Sequence, residues 1–162
     1  MLFRSELPGG DVTKALAAEL GKCPADHQAP LLLALADRRD PAVLPAIRDL
    51  ARTGPAALRT VAVGVLDRQD DVPSLPIFLQ AATDDDAGLA QAAKIALGRL
   101  EGESVNPDLL ARLSHATGKT RGVLIELAGR RQLSQALPAV VTAAKDPDPA
   151  IRRAAVEAVG AL

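Results

Sequence analysis

The sequence predicts an all-α protein, a right-handed α-solenoid (α-α superhelix) of about five helical-hairpin repeats with a 31-residue period. Prolines recur at that interval, at Pro45, Pro76, Pro107 and Pro138. Within each period, apolar residues have the spacing of one helix face. An example is the series Leu58, Val61, Ala62, Val65 and Leu66. A single hairpin cannot bury its apolar side, whereas stacked hairpins form a continuous core.

Each period is predicted to hold two helices. The first helices are expected at approximately 43–53, 74–84, 105–116 and 136–145, with an earlier copy near 11–21. The second helices are expected at approximately 25–38, 56–69, 87–100, 118–131 and 149–161. The repeats are therefore predicted to span 10–40, 41–71, 72–102, 103–133 and 134–162. Residues 1–9 form an N-terminal segment that we interpret as the remnant of a preceding repeat.

Turn residues support these helix boundaries. The repeating proline lies in the first turn of a helix, where its missing N–H costs nothing. Three residues before second helices have side chains that can cap free N–H groups: Asp86, Thr117 and Asp148. Near the ends of the last three second helices, one position becomes glycine, which is a frequent stop signal. These glycines are Gly98, Gly129 and Gly160.

The predicted core is aliphatic because the only aromatic residues are two phenylalanines. Its members are Leu16, Leu20, Leu31, Leu35, Leu44, Ile47, Val61, Val65, Leu66, Phe78, Leu97, Leu109, Leu113, Leu124, Leu127, Val140 and Val159.

The charge balance argues against nucleic acid or an anionic membrane as the partner. Lysine and arginine total 19 against 20 aspartate and glutamate residues, which gives a net charge of -1. Either partner would favour a strong basic excess. The lone Cys23 cannot form an internal disulfide, and no apolar run has the length of a signal peptide or a membrane span. We therefore expect a soluble protein, located in the cytoplasm.

The last 17 residues, DPDPAIRRAAVEAVGAL at 146–162, resemble the HEAT-like repeat first described in phycobilin lyases. The matching residues are Asp146, Arg152, Ala155, Val159 and Gly160. The resemblance implies a HEAT-type solenoid, in which the turn aspartate and the second-helix arginine form a ladder along the repeats. It implies the full pair only in the last repeat, between Asp146 and Arg152. It is specific for architecture and carries almost no information on function.

No motif predicts catalysis, a cofactor or a metal site. The Gly118-Lys119-Thr120 triplet lacks the earlier glycine and the preceding strand of a phosphate-binding loop, so a turn is favoured. His27 and His115 lack the following glutamate of HEAT-type di-iron enzymes. The run Asp84-Asp85-Asp86 suits the positive end of a helix dipole. Cys23 has no partner residue for nucleophilic chemistry.

The candidate partner-binding surface combines an arginine row with exposed positions of the second helices. Arg68, Arg99 and Arg130 lie one period apart near helix ends. They either offset the helix dipole or form an edge that reads the carboxylates of an acidic partner. The remaining predicted surface residues are Thr60, Gln91, Glu126, Arg153 and Glu157.

These observations favour a non-catalytic protein- or peptide-binding scaffold module within a larger protein. A structural spacer in a multidomain protein is the first alternative, and a bilin lyase-like or DNA glycosylase-like HEAT enzyme is the second. The final helix is as apolar as the internal copies, although a terminal repeat needs a polar outer face. We therefore expect either a longer solenoid or self-association through this C-terminal helix.

Overall fold

A computed structural model of the chain describes residue 15, residues 18–20 and residues 22–162, without the side chains of residues 25 and 26. Over this part of the chain the predicted all-α solenoid of helical hairpins is confirmed. The predicted first helix near 11–21 lies mostly outside the described residues.

The chain forms two compact units, Met1–Gln69 and Asp70–Leu162. The helices described in the first unit are α1 (Ala25–Asp37), α2 (Leu44–Thr53) and α3 (Ala56–Arg68). Here α3 packs on both α1 and α2. Those of the second unit are α4 (Leu75–Ala81), α5 (Ala87–Arg99), α6 (Val105–Leu113), α7 (Gly118–Arg130), α8 (Leu137–Ala143) and α9 (Pro149–Val159). Here α4 pairs with α5, α6 with α7 and α8 with α9, and α7 packs between α5 and α9.

The first helix of each hairpin is shorter than predicted. Short 3₁₀ turns precede α2, α4 and α8, at Pro41–Val43, Val72–Ser74 and Ser134–Ala136. Beyond α4, the chain tightens into i→i+3 bonds, from Thr83 N–H to the Gln80 carbonyl (3.2 Å) and from Asp84 N–H to the Ala81 carbonyl (3.1 Å). Both deviations arise because helix ends often adopt this tighter geometry, which apolar spacing does not distinguish from α-helix.

The second helices begin where predicted, with two of the three expected caps. The Asp86 carboxylate accepts hydrogen bonds from Gly88 N–H (2.8 Å) and Leu89 N–H (3.1 Å). The Asp148 carboxylate accepts one from Ala150 N–H (2.8 Å). The prediction for Thr117 was wrong, because its side chain makes no capping bond.

Of the three glycines predicted as stop signals, only Gly160 directly follows its helix, as the C-cap of α9. Gly98 and Gly129 lie inside α5 and α7. The non-glycine residues with left-handed backbone lie three positions later in the repeat, at Arg39, Asp70 and Gln132, with φ of 51°, 52° and 54°. At Gly129, a Cβ would lie 2.7 Å from Ala158 Cα. This glycine is therefore required for the close approach of α7 and α9.

The core is aliphatic and follows the predicted face, with one error. Of the predicted residues, Leu66, Phe78 and Leu97 are completely buried, while Leu31, Leu44 and Val61 are half-buried. Val159 was predicted to be buried but is 44% exposed. It lies on the side of α9 that no described helix covers. Leu16 lies outside the described residues.

Candidate partner-binding groove

The second helices of the second unit line a groove with a volume of about 350 Å³. Its floor consists largely of small residues, with Ala90 on α5, Gly122 on α7 and Ala154 on α9. A Cβ at Gly122 would meet only Ile151 Cγ1, at 3.8 Å, so the glycine leaves room rather than permitting a tight crossing. Small side chains on three neighbouring helices let the backbone of a bound segment approach closely.

Three predicted surface residues line this groove: Glu126, Arg153 and Glu157. On α5, however, the groove is lined by Ala90 and Lys94 and not by the predicted Gln91, which is exposed beside them. Thr60 belongs to the first unit, where it lies half-buried on α3.

A charged network crosses the groove from α5 to α7. Lys94 Nζ lies 2.7 Å from Glu126 Oε2, and the two side chains are 26% and 29% exposed. The other carboxylate oxygen of Glu126 lies 2.6 Å from Arg130 Nη2. Because both oxygens of Glu126 are engaged and partly shielded from water, this carboxylate is held in one position. Lys94 is a site residue that sequence analysis missed.

The rim of the groove carries exposed and weakly paired charges. Arg153 Nε and Glu157 Oε1 on α9 are 3.9 Å apart, with side chains 79% and 69% exposed. At the turn end, Lys119 Nζ lies 2.6 Å from Asp85 Oδ1. This hydrogen bond, aided by the charge of Asp85, raises the pKa of Lys119. Exposed pairs of this kind contribute little to stability, so both rim pairs can exchange partners at low cost.

Two members of the arginine row, Arg68 and Arg130, make contacts within their own helices. Arg68 Nε donates to the Gly64 carbonyl (3.4 Å), and Arg130 pairs with Glu126. Each contact reaches four residues back on the same helix. Within the second unit, Arg130 also lies along α5, since a Cβ at Gly98 would meet Arg130 Cδ at 3.1 Å. The exposed Arg99 completes the row. These contacts are those expected of arginines that offset the negative end of a helix dipole. They leave the guanidinium groups of Arg68 and Arg130 at the surface.

The resemblance implies a pair between Asp146 and Arg152, whereas the structure shows a different partner for Asp146. The Asp146 carboxylate pairs with Arg121 of the preceding repeat, at 2.9 Å, and not with Arg152. Arg152 instead donates to the carbonyls of Asp146 and Pro147, both at 2.8 Å. The Asp146 side chain is 9% exposed and that of Arg121 is 28% exposed. The pair therefore joins α7 to the turn before α9.

The remaining candidate residues do not converge on a chemical site. His27 and His115 are exposed, and Cys23 is a half-buried free thiol. His115 lines a shallow depression with Leu79 and Arg112, while Arg112 pairs with Asp108 at 2.9 Å. The described residues hold no group of three or more His, Cys, Asp or Glu side chains placed to bind a metal ion.

Comparison with known proteins supports the repeat type. Residues 106–162, which include α7, α8 and α9, match the family model of HEAT repeats. Such repeats commonly act as scaffolds for protein interactions and are usually non-enzymatic. No curated protein matches the chain. In the described part of the chain, no helix has both the length and the apolar character needed to span a bilayer.

Proposed function

We propose that this chain is a non-catalytic scaffold module whose second-unit groove receives a segment of a partner protein. The observation that carries the proposal is a floor of Ala90, Gly122 and Ala154 beside the charged pair Lys94–Glu126. Extended surfaces of stacked helices are the usual binding surfaces of solenoids.

The partner segment is proposed to be acidic. The Arg153 side chain on the rim is 79% exposed, and its contact with Glu157 is long, at 3.9 Å. A partner carboxylate can replace Glu157 there and form a charge-assisted hydrogen bond. Arg99 and Arg130 would add a second positive edge beyond the groove. Without aromatic side chains, the groove lacks the commonest kind of hot spot, so modest affinity is expected.

The experiment selects peptides from a random display library on the wild-type chain and then compares two glycine variants. Gly122→Gln places a neutral side chain in the groove, next to ordinary van der Waals contacts. Gly64→Gln is the matched control, because it makes the same change in α3, where a Cβ meets nothing within 4 Å. Both changes also remove a helical glycine, so neither is expected to destabilise the fold.

The selected peptides are expected to be rich in Asp and Glu, to bind Gly64→Gln as they bind the wild type, and to bind Gly122→Gln at least tenfold more weakly. Replacing Arg153 by Gln should weaken binding and flatten its salt dependence. Replacing Arg68, Arg99 and Arg130 together by Gln tests the arginine row in the same way. Equal binding to both glycine variants would place the site elsewhere, and a library that yields no binder would contradict the proposal.

The closer relation to repeats of the phycobilin lyase type stays part of this proposal, supported by Asp146, Arg152, Ala155 and Gly160. This relation makes bilin a useful second probe. Duplex DNA is a third probe, because a DNA glycosylase-like enzyme is the other enzyme alternative. Binding of either probe with the affinity of the selected peptides would favour the enzyme alternatives over the scaffold.

A further inference from the structure

Glu126 on α7 holds one cation at each of its two carboxylate oxygens. Its Oε2 lies 2.7 Å from Lys94 Nζ on α5, and its Oε1 lies 2.6 Å from Arg130 Nη2, one turn further along α7. We call Lys94, Glu126 and Arg130 the triad. With two cations and one carboxylate, the triad carries one positive charge in excess.

Both cations of the triad have hydrogen-bond donors to spare. An ammonium group offers three N–H donors and a guanidinium group offers five. Lys94 and Arg130 each donate to Glu126 and have no second polar partner among the described residues. Their side chains are 26% and 40% exposed, so the remaining donors are partly shielded from water. An anion that accepts from both cations is therefore held more strongly than it would be at a fully exposed cation.

The position of Arg130 is set by a glycine on the facing helix. A Cβ at Gly98 of α5 would meet Arg130 Cδ at 3.1 Å, so the arginine stem lies against α5 where this glycine leaves room. Lys94 lies one turn before Gly98 on the same helix. Both cations are thus placed where α5 meets α7, and Glu126 holds their charged ends. A site whose donors are already positioned loses less conformational freedom when a ligand binds.

The triad borders both the groove and a smaller hollow beside it. Lys94 and Glu126 line the groove, while Glu126 and Arg130 line a hollow of about 170 Å³ between α7 and α9. Glu157 lines both spaces, but its ion pair is with Arg153, at 3.9 Å. Within the described part of the chain, Glu126 therefore supplies the one carboxylate that pairs with the two cations.

The triad is not a feature of every repeat. One period after Lys94 and Arg130, the equivalent positions hold Ile125 and Ala161. There α7 nonetheless packs on α9, without a pair of cations between the two helices. The packing of neighbouring second helices therefore does not depend on a triad, which favours a role in binding for the one between α5 and α7.

Given the groove function proposed for the second unit, on which this inference rests, we propose that the triad is a subsite for one carboxylate side chain of the partner segment. This aspartate or glutamate accepts from Lys94 and Arg130 on the side away from Glu126, so that two carboxylates and two cations alternate. Such charge-assisted hydrogen bonds are short and strong. A single carboxylate neutralises the excess charge of the triad, whereas a phosphoserine, with up to about two negative charges at neutral pH, exceeds it.

The experiment is a double-mutant cycle between the chain and a peptide. The probe is the tightest peptide selected on the wild-type chain from the random display library, with each Asp or Glu replaced in turn by Asn or Gln. Calorimetric titration measures its binding to the wild type and to Lys94→Gln, whose amide can still donate to Glu126. At one acidic position, the replacement is expected to weaken binding about tenfold on the wild type and about twofold or less on Lys94→Gln. Arg130→Gln is expected to be coupled to the same position.

Two matched controls lie outside the groove. Lys22→Gln changes an ion-paired lysine of the first unit. Arg112→Gln changes an arginine that, like Arg130, pairs with the acidic residue four positions before it. On both controls, the replacement in the peptide should weaken binding as much as it does on the wild type. Thermal unfolding followed by circular dichroism should show all four variants folded at the working temperature.

The outcomes separate the subsite from the groove. Peptides that bind Gly122→Gln more weakly than the wild type, yet have no acidic position coupled to Lys94 and Arg130, would overturn the subsite and leave the groove function standing. Equal coupling to the two control variants would also overturn the subsite, and so would tighter binding of a peptide with phosphoserine at the coupled position. A library that yields no binder, or binders that Gly122→Gln does not weaken, would overturn both proposals.

Discussion

The C-terminal ends of α3 and α7 lie at equivalent positions of the repeat, one in each unit. Each end is joined to the preceding repeat by a different type of side chain. After α3, Gln69 Nε2 donates one hydrogen bond to the Ala36 carbonyl at the end of α1, at 3.1 Å. After α7, Arg131 Nη1 donates to the carbonyls of Leu97 (2.8 Å) and Leu100 (3.0 Å) at the end of α5. Its Nε also donates to Asn106 Oδ1, at 2.8 Å.

The difference shows that two kinds of side chain, an amide and a guanidinium, can bind the last carbonyls of a helix. The last carbonyls of a helix have no partner within it, and a donor from the next repeat satisfies them. An amide does this without charge but offers a single bond here. A guanidinium reaches three acceptors, at the cost of partial burial, which lowers the pKa of Arg131. The guanidinium of Arg131 remains protonated around neutral pH, so its contribution should not vary there.

The largest expected effect comes from giving α3 the smaller core residue that α7 has at the equivalent position. Leu66 in α3 and Ala128 in α7 are equivalent, and both are buried, at 0% and 1% exposure. Leu66→Ala gives α3 the residue of α7 but leaves a cavity, so it should cost ~2–5 kcal/mol of unfolding free energy. Denaturant unfolding measures this cost. A change within about 0.5 kcal/mol would mean that the side chain is not packed as the structure has it.

The second test removes each of the two cross-repeat donors. Arg131→Ala leaves the Leu97 and Leu100 carbonyls without this donor and should cost ~2–3 kcal/mol, whereas Gln69→Ala should cost ~1 kcal/mol. The same denaturant series gives both values, and Arg131→Gln should fall between the wild type and Arg131→Ala. Equal costs for the two alanine variants would show that the additional bonds of Arg131 only offset its burial.

The smallest expected effect concerns glycine. Gly129→Ala in α7 would place a Cβ 2.7 Å from Ala158 Cα and 2.9 Å from Ala158 Cβ, so the two helices must move apart. We expect a loss of ~1–2 kcal/mol, because overpacking outweighs the better helix propensity of alanine. Gly64→Ala in α3 is the control, since nothing lies within 4 Å, and it should gain ~0.5–1 kcal/mol. Thermal melts that moved in the same direction for both variants would contradict the close crossing.

Helix positions were predictable from sequence because the period and the apolar stripe act at every repeat. The second helices start as predicted and end within one or two residues of the prediction, as with α5 at Arg99. Contacts between repeats were less predictable, because side chains of neighbouring repeats meet at sequence separations that differ from the period. Lys94 meets Glu126 at a separation of 32 residues and Lys119 meets Asp85 at 34, whereas the sequence period is 31. An offset of one to three residues corresponds to about 1.5–4.5 Å along a helix.

This offset explains which site predictions hold. A fixed position in the repeat correctly identified Glu126, Arg153 and Glu157 on α7 and α9. On α5, the groove is lined by Ala90, one residue before the predicted Gln91. The ladder could not be paired correctly for the same reason, since Arg121 reaches forward to Asp146 of the next repeat. The error at Val159 is of another kind. Apolar spacing identifies the face that a neighbour can cover, and it carries no information on whether that neighbour is present.

Gln69 and Arg131 each donate to carbonyls of a helix that precedes them in the chain. The order of synthesis therefore decides when those helix ends gain their donors. When α5 leaves a ribosome, the residue that will satisfy its last carbonyls has still to be made, 31 to 34 residues later. The ends of α1 and α5 are therefore completed by the repeat that follows each of them, and each end is unfinished in the nascent chain until that repeat has been made. Since domains fold progressively during synthesis, the growing end is the place where a chaperone would find exposed backbone and where premature termination would do most harm.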